Sequence, residues 1–362
     1  MKVLHVINSL ATGGAEKLIL ETFPLYKEKG LEIDVLVLNG LESPFIKQLN
    51  KLNCCNIYSL KFKSVYNPMA IFKIIPYLRN YNLIHVHLFP AQYWVVFAKL
   101  LSFSKVKLLF TEHSTYNRRR EIRSFKFLDR IIYSFFNRVI CITNEVKDNL
   151  QKHIHSNVNN LLVIENGVNI AILKSTNSYS KNQIHKEVHE DDVLIIQVSG
   201  FRDSKDQPTL IQAMSFLPNN YKLLLVGEGI MRKKCEALTQ ELQLQKRVLF
   251  LGIRMDVPQL LKTADISVLS SHWEGFGLVA IESMASGKPL IVSDVPGLSG
   301  VVAGAGILFE HGNSLLLANE IKNLIDNPDY YESVVTACQE RANQFDIKIM
   351  VDKHIQLYDT II

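Results

Sequence analysis

Residues 267–294, "SVLSSHWEGFGLVAIESMASGKPLIVSD", decide the reading of the fold. Residues 266–271 form a continuous run rich in branched aliphatic side chains. Residues 272–277 hold two glycines and an acid. Residues 278–286 have the composition of a helix, Gly287 stands where a helix C-terminal glycine belongs, and "KPLIVSD" is apolar again. An uninterrupted apolar strand, a glycine turn, a helix and a second such strand make one parallel β–α–β unit, its strands covered on both faces.

The same unit recurs outward in both directions. In the first half the apolar runs are "KVLHVIN", "IDVLVLNG", "LIHVHL", "KLLFTEH", "VICIT" and "LLVIENG". In the second they are "VLIIQVSG", "YKLLLVGEG", "RVLFLG", "ISVLSS", "PLIVSD" and "GILFE". Two sets of strands alternating with helices predict an α/β protein of two Rossmann-like, doubly wound parallel-sheet domains. The polar segment 169–190 is the expected linker. Expected boundaries are 1–170 and 171–344, with a helix over 345–362 packing back on the first domain. Ligands of such sheets bind at the carboxyl ends of the strands, which points to the cleft between the domains.

The chain has 362 residues, 48% hydrophobic and 21% charged, enough for two domains. Its net charge of +5 is uneven. The span 99–138 alone carries ten Lys/Arg against three Asp/Glu, which favours an anionic partner there. Cys54, Cys55, Cys141, Cys235 and Cys338 lack metal or disulfide spacing and read as reduced thiols in a cytoplasmic protein. The N-terminus runs straight into a strand, unlike a signal peptide, and "VHLFPAQYWVVFA" is too short and too interrupted to cross a bilayer.

Glu274 on the glycine turn and Glu282 in the following helix could each be an ordinary solvated acid. Their setting favours function. A glycine turn opening a helix presents backbone N–H groups near Gly277, Leu278 and Val279 to a phosphate. Glu282 stands behind them at the height of a ribose, and Glu274 ahead of them at the height of a sugar. These are the parts of a sugar nucleotide.

"EGFGLVAIESMASGKPLIVSD" resembles the signature of the retaining glycosyltransferases of family 4, which have the two-domain GT-B fold. The order of "TGGAE", "TEHS", "ENGV", "VGEG" and "FLGIRMDVPQLL" extends the resemblance over essentially the whole chain. It implies a nucleotide-sugar donor, UDP first and GDP as the open alternative, with no cofactor and no metal. The acceptor it implies is a glycan or lipid-linked glycan of bacterial surface polysaccharide synthesis. It implies that Glu282 binds the ribose and Glu274 the transferred sugar, that Gly275, Phe276, Gly277, Leu278 and Val279 hold the diphosphate, that Ile253 meets the base, and that Gly227 flanks the nucleoside. Gly13 and Gly14 would face the diphosphate; adjacent glycines, and a second strand ending at Asn39, do not fit a dinucleotide fingerprint. Lys205 would neutralise the leaving diphosphate. Arg202 would do so from a shifted place, since the family's usual arginine position is Gly200 here. His113 would stand near donor sugar and acceptor, with a weaker claim for His87. Asn166 matches a family position, but Asn169 replaces the usual aspartate.

Arg118, Arg119, Arg120, Arg123 and Lys126, interleaved with Ile122, Phe125, Phe127 and Leu128, are either a solvated helix face or a contact for anionic lipid at the inner face of the plasma membrane or for a lipid-linked diphosphate acceptor. No motif points to nucleic acid. No Asp-x-Asp occurs, and His185 and His189 have the wrong context for a zinc site. Two other functions remain open: a sugar-nucleotide epimerase of the same fold, and a non-catalytic subunit that binds membrane or a partner.

Overall fold

A computed structural model describes residues 1–115, 118–154 and 160–362. They form two compact units, Met1–Gly167 with Ile347–Ile362, and Val168–Asp346.

The first unit has seven strands: β1 (Lys2–Ile7), β2 (Glu32–Asn39), β3 (Ile57–Phe62), β4 (Leu83–His87), β5 (Lys107–Glu112), β6 (Arg138–Cys141) and β7 (Leu161–Val163). All pair in parallel, in the order β3-β2-β1-β4-β5-β6-β7. Sequence patterning found every strand except β3. That strand lies at the sheet edge and buries only Leu60, so "IYSLKF" lacks the continuous apolar run of its neighbours.

The second unit has six: β8 (Val193–Val198), β9 (Tyr221–Val226), β10 (Val248–Gly252), β11 (Ile266–Leu269), β12 (Leu290–Ser293) and β13 (Ile307–Phe309). They too are all parallel, ordered β10-β9-β8-β11-β12-β13. The central strands are buried on both faces, which accounts for their unbroken apolar runs. In both sheets the chain leaves the first strand to one side and returns on the other. The crevices at those reversals are the binding positions of such sheets.

The segment 169–190 is not a free linker. Asn169 caps a helix, Ile170–Ser175, by accepting from the Ile172 amide at 3.2 Å. Ile170, Leu173, Ile184 and Val188 are buried, and Tyr179 donates to Asp256 at 2.9 Å. The segment is polar because it lies on the outside of the second unit, and its few apolar residues pin it there. The helix Ile347–Ile361 belongs to the first unit. It buries Ile347, Met350, Val351, His354, Tyr358 and Ile361, the spacing of one helical face.

Candidate functional site

In the second unit the parallel strands deliver every following turn to one edge of the sheet. After β8 the chain makes a turn of Ser199–Phe201 and a short 3-10 segment, Asp203–Lys205. It then enters the helix Gln207–Ala213 through Asp206, whose carboxylate caps it. After β11 comes the turn carrying Glu274. The two turns are tied together: the His272 amide donates to the Ser204 carbonyl at 2.9 Å, and the Ser270 hydroxyl to the Asp206 carbonyl at 2.8 Å. Gln197, buried at the end of β8, donates to the Lys205 carbonyl at 3.0 Å. These bonds set Lys205 against Glu274, and their side chains form an ion pair. Ser271 adds a second donor to the same Glu274 oxygen at 3.0 Å. A lysine and a glutamate 69 positions apart thus meet at the reversal between β8 and β11.

Glu274 is followed by the helix Leu278–Ala285. Gly277 caps it in the left-handed conformation (φ 76°), and a Cβ there would stand 2.6 Å from Leu298. The backbone conformation favours glycine, and a side chain there would also have to push Leu298 aside. The first amides of a helix have no intrahelical acceptor, and Gly277 has no side chain to give them one. Gly275, Leu278 and Val279 are partly exposed, whereas Phe276 is buried against Phe345. Glu282 is on the same helix and 3% exposed.

Arg202 is exposed, and its Nε lies 3.7 Å from where a Cβ on Gly200 would stand. The guanidinium therefore folds back over Gly200, the place where the resemblance puts the family arginine. The turns after β9 and β10 complete this edge. Gly227 (φ 139°) donates to the Gly252 carbonyl at 2.8 Å and presses so close to Ser199 that a Cβ would fall 2.2 Å from its carbonyl oxygen. Ile253 follows, 51% exposed, an uncovered apolar side chain beside that turn. The second unit therefore brings together Arg202, Lys205, Gly227, Ile253, Glu274 and the Gly277 cap on one sheet edge. Sequence reasoning passed over Asp206 and His311, which lie beside His272 with ligand atoms within 4.8 Å of one another, a group able to hold a metal ion.

In the first unit, Gly13 caps the helix Gly14–Glu28, and the Glu16 carboxylate folds over it, 2.2 Å from where a Cβ of Gly13 would be. A phosphate approaching this turn must displace that carboxylate. Asn166 is buried.

His113 lies just past β5, partly buried, and is one end of a connected set that the sequence reading did not assemble. His5 and His85 are paired residues of β1 and β4, and His87 pairs with Thr111 of β5. All four side chains therefore share one sheet face. His5 Nδ1 is 2.9 Å from His87 Nε2, and His87 Nδ1 is 3.1 Å from His113 Nε2. His85 bonds the Tyr358 hydroxyl at 2.8 Å and the Thr111 hydroxyl at 2.7 Å. Tyr358 reaches His5 Nε2 at 3.3 Å, and Tyr26 bonds His354 Nδ1 at 2.6 Å. Burial drives all five imidazoles toward the neutral form. It holds His5 at about 3, with the His354 charge adding to the effect, and His354 itself at about 3. His113 sits at about 4, burial outweighing the pull of Glu112. His85 and His87 fall well below the ordinary value through burial and the neighbouring histidines. Although His5, His85 and His87 also have the spacing to hold a metal ion, every one of their ring nitrogens already has a protein partner. The signal was available: histidines at matching positions of neighbouring apolar strands.

The basic run needs correction. Arg119 is buried, its Nε 3.1 Å from the fully buried Asp129, and its guanidinium stacks 4.4 Å from the Phe89 ring. Arg120 forms an ion pair with the buried Glu112 at 3.0 Å. These two cations are structural, because acids within the same span neutralise them indoors. The side chains of Arg118 and Arg123 lie outside the described residues. Lys126 is partly exposed, on a helix (Arg123–Ser134) that turns Phe127 and Ile131 outward beside Arg130. No described helix is long and apolar enough to cross a membrane.

Comparison with known proteins covers both units. Residues 12–172 match the family model described as Glycosyltransferase Family 4, and residues 180–341 the one described as Glycosyl transferases group 1. An N-acetyl-alpha-D-glucosaminyl L-malate synthase of Bacillus anthracis is 31% identical, the match spanning 49% of this chain and 48% of its relative, about half of either. A UDP-Gal:alpha-D-GlcNAc-diphosphoundecaprenol alpha-1,3-galactosyltransferase of Escherichia coli is 23% identical over 99% of this chain and 96% of the relative. Among solved structures, Anabaena HepE in complex with UDP and glucose superposes with a TM-score of 0.87 at 22% identity, over 99% of this chain and all of that one. At that identity the likeness speaks for the fold.

Proposed function

Because this chain belongs to the group 1, family 4 glycosyltransferases, we propose that it is a retaining enzyme moving a sugar from a UDP-sugar to a lipid-linked glycan acceptor in bacterial surface polysaccharide synthesis. The observation that carries this reading is the Lys205–Glu274 pair at the β8/β11 reversal, next to the uncapped start of the Gly277 helix. The pair holds a cation where a diphosphate would lie and a carboxylate where sugar hydroxyls would lie. On donor binding, phosphate oxygens compete with Glu274 for the Lys205 ammonium, and Glu274 is released toward the sugar.

The departing diphosphate gathers negative charge. Lys205, Arg202 and the first amides of the helix Leu278–Ala285 stabilise it from fixed positions. Glu282 takes the ribose hydroxyls and Ile253 packs against the base. In front-face transfer the acceptor hydroxyl attacks as the diphosphate leaves, and a phosphate oxygen takes its proton, so no protein nucleophile is needed. We assign acceptor binding to the first unit, with His113 oriented toward sugar hydroxyls. The UDP preference and the lipid-diphosphate acceptor are supported by the names of the Escherichia coli relative and of a Campylobacter jejuni relative that transfers to a diphospho-undecaprenol substrate. The outward face of the helix Arg123–Ser134, with Phe127, Ile131, Lys126 and Arg130, is our candidate for contact with the lipid carrier.

Thermal melting against UDP, GDP, ADP and their sugars tests this, with Glu282→Ala alongside. A ligand at 100 times its Kd adds about 2.7 kcal/mol to stability. Stabilisation by UDP that the variant loses is the expected result. Indifference to every nucleotide in folded protein overturns the donor site and favours a non-catalytic subunit. Conversion of the donor to an isomer without acceptor favours an epimerase.

A further inference from the structure

The histidine chain of the first unit has a property beyond burial. A neutral imidazole has one N–H and one bare nitrogen, and a nitrogen-to-nitrogen hydrogen bond needs one of each. His5 Nδ1 faces His87 Nε2, and His87 Nδ1 faces His113 Nε2. If His113 carries its proton on Nε2, then His87 and His5 must carry theirs on Nε2 as well, and His5 donates to Tyr358. If Tyr358 instead donates to His5 Nε2, all three protons sit on Nδ1. Mixed sets leave either two protons or two lone pairs facing each other in the interior.

We propose that His5, His87 and His113 share one tautomer, chosen at the Tyr358 hydroxyl, so that the outer Nδ1 of His113 meets a ligand hydroxyl as an acceptor in one state and as a donor in the other. His113 Nδ1 makes no hydrogen bond among the described residues. The neighbouring cavity, lined by His5, His87, Thr111, His113, Asn166 and His354 among others, is about 20 Å³, room for about one water. Reversal by proton hops needs one proton in at His113 Nδ1 and one out beyond Tyr358, through His85 Nδ1 and Nε2 to the Thr111 hydroxyl; His113 and Thr111 line the same cavity, so its water can supply the one and take the other, and no net charge is left. Tyr358, His5 and His87 are positioning residues, 113 being the position that meets the ligand. That the ligand is a sugar rests on the glycosyltransferase reading; the shared tautomer does not.

The test is ring-15N histidine NMR of the full chain, which distinguishes protonated from bare ring nitrogens, with the eleven histidines assigned by single substitutions. The expected result is the same tautomer at 5, 87 and 113. In Tyr358→Phe, the tautomer ratio at all three moves together, about two- to tenfold for one lost hydrogen bond. A mixed set in the unmodified protein overturns the proposal, whether or not Tyr358→Phe folds. So does a response of His5 to Tyr358→Phe that His113 does not follow, or no response at any of the three. Nucleotide binding is read separately in the second unit. A uniform set without UDP binding would sink the transferase reading alone, and a mixed set with UDP binding would sink the relay alone.

Discussion

Replacing Asp129 by alanine tests whether the basic run is structural. Asp129 is fully buried, accepts from Tyr93 Oη at 2.5 Å and His153 Nε2 at 2.7 Å, and forms an ion pair with Arg119, whose Nε is 3.1 Å away. Asp129→Ala takes a buried carboxylate away from the Arg119 guanidinium and leaves two further donors without this acceptor. Removing one partner of a buried pair costs about 3–5 kcal/mol. A domain of the first unit's size loses about 2–4 °C of Tm per kcal/mol, so its calorimetric transition is expected to fall by about 6–20 °C. Adding Arg119→Met removes the stranded cation and is expected to restore a large part of the loss, which a double-mutant cycle reads directly. A fall of less than about 2 °C would refute the reasoning, because Arg119 would then be escaping to solvent at little cost. The surface-patch reading of residues 118–126 would return.

Two other outcomes follow from the sites. Lys205→Ala is expected to lower kcat by about 100- to 1,000-fold, the usual cost of losing one donor to developing charge, in a protein that still melts normally. A loss under tenfold would place the diphosphate elsewhere. The buried histidines give an acid dependence whose sign is definite. His5 and His354 are held at about 3, and His85 and His87 well below 6.5. Below pH 6.5 the unfolded chain takes up protons that the folded chain refuses. Stability is therefore full above pH 6.5 and falls as the pH drops toward the folded pKa, by up to about 1.4 kcal/mol per unit for each such group. Urea unfolding at pH 7.5 and 5.5 checks this, and equal stabilities would show that these rings titrate normally in the folded state.

Much of the fold was legible because parallel strands, buried on both faces, announce themselves as unbroken apolar runs. β3 was missed because an edge strand needs no such run. The turn around Glu274 was legible for a related reason: an αL glycine opening a helix leaves a composition mark. Its ion pair with Lys205 was not, since only the strand order brings residues 69 apart into contact. Charge counting misread Arg119 and Arg120 because a sum over a span cannot tell a cation facing water from one facing Asp129 or Glu112. His5, His85 and His87 were visible as polar residues inside apolar strands. Their meaning depends on register between strands, which a single run does not carry.

The helix Ile347–Ile361 closes the histidine face of a unit whose sheet was complete by Val163. During translation the whole of Val168–Asp346 comes between them. At about 5–20 residues per second that is a delay of about 10–35 s. Through that interval the nascent sheet waits without Tyr358 and His354, the hydroxyl and imidazole that this helix brings to its histidines. This late helix therefore does more than add apolar contacts. It supplies the Tyr358 hydroxyl on which the His5 and His85 bonds close, and so makes completion of the first unit a late step.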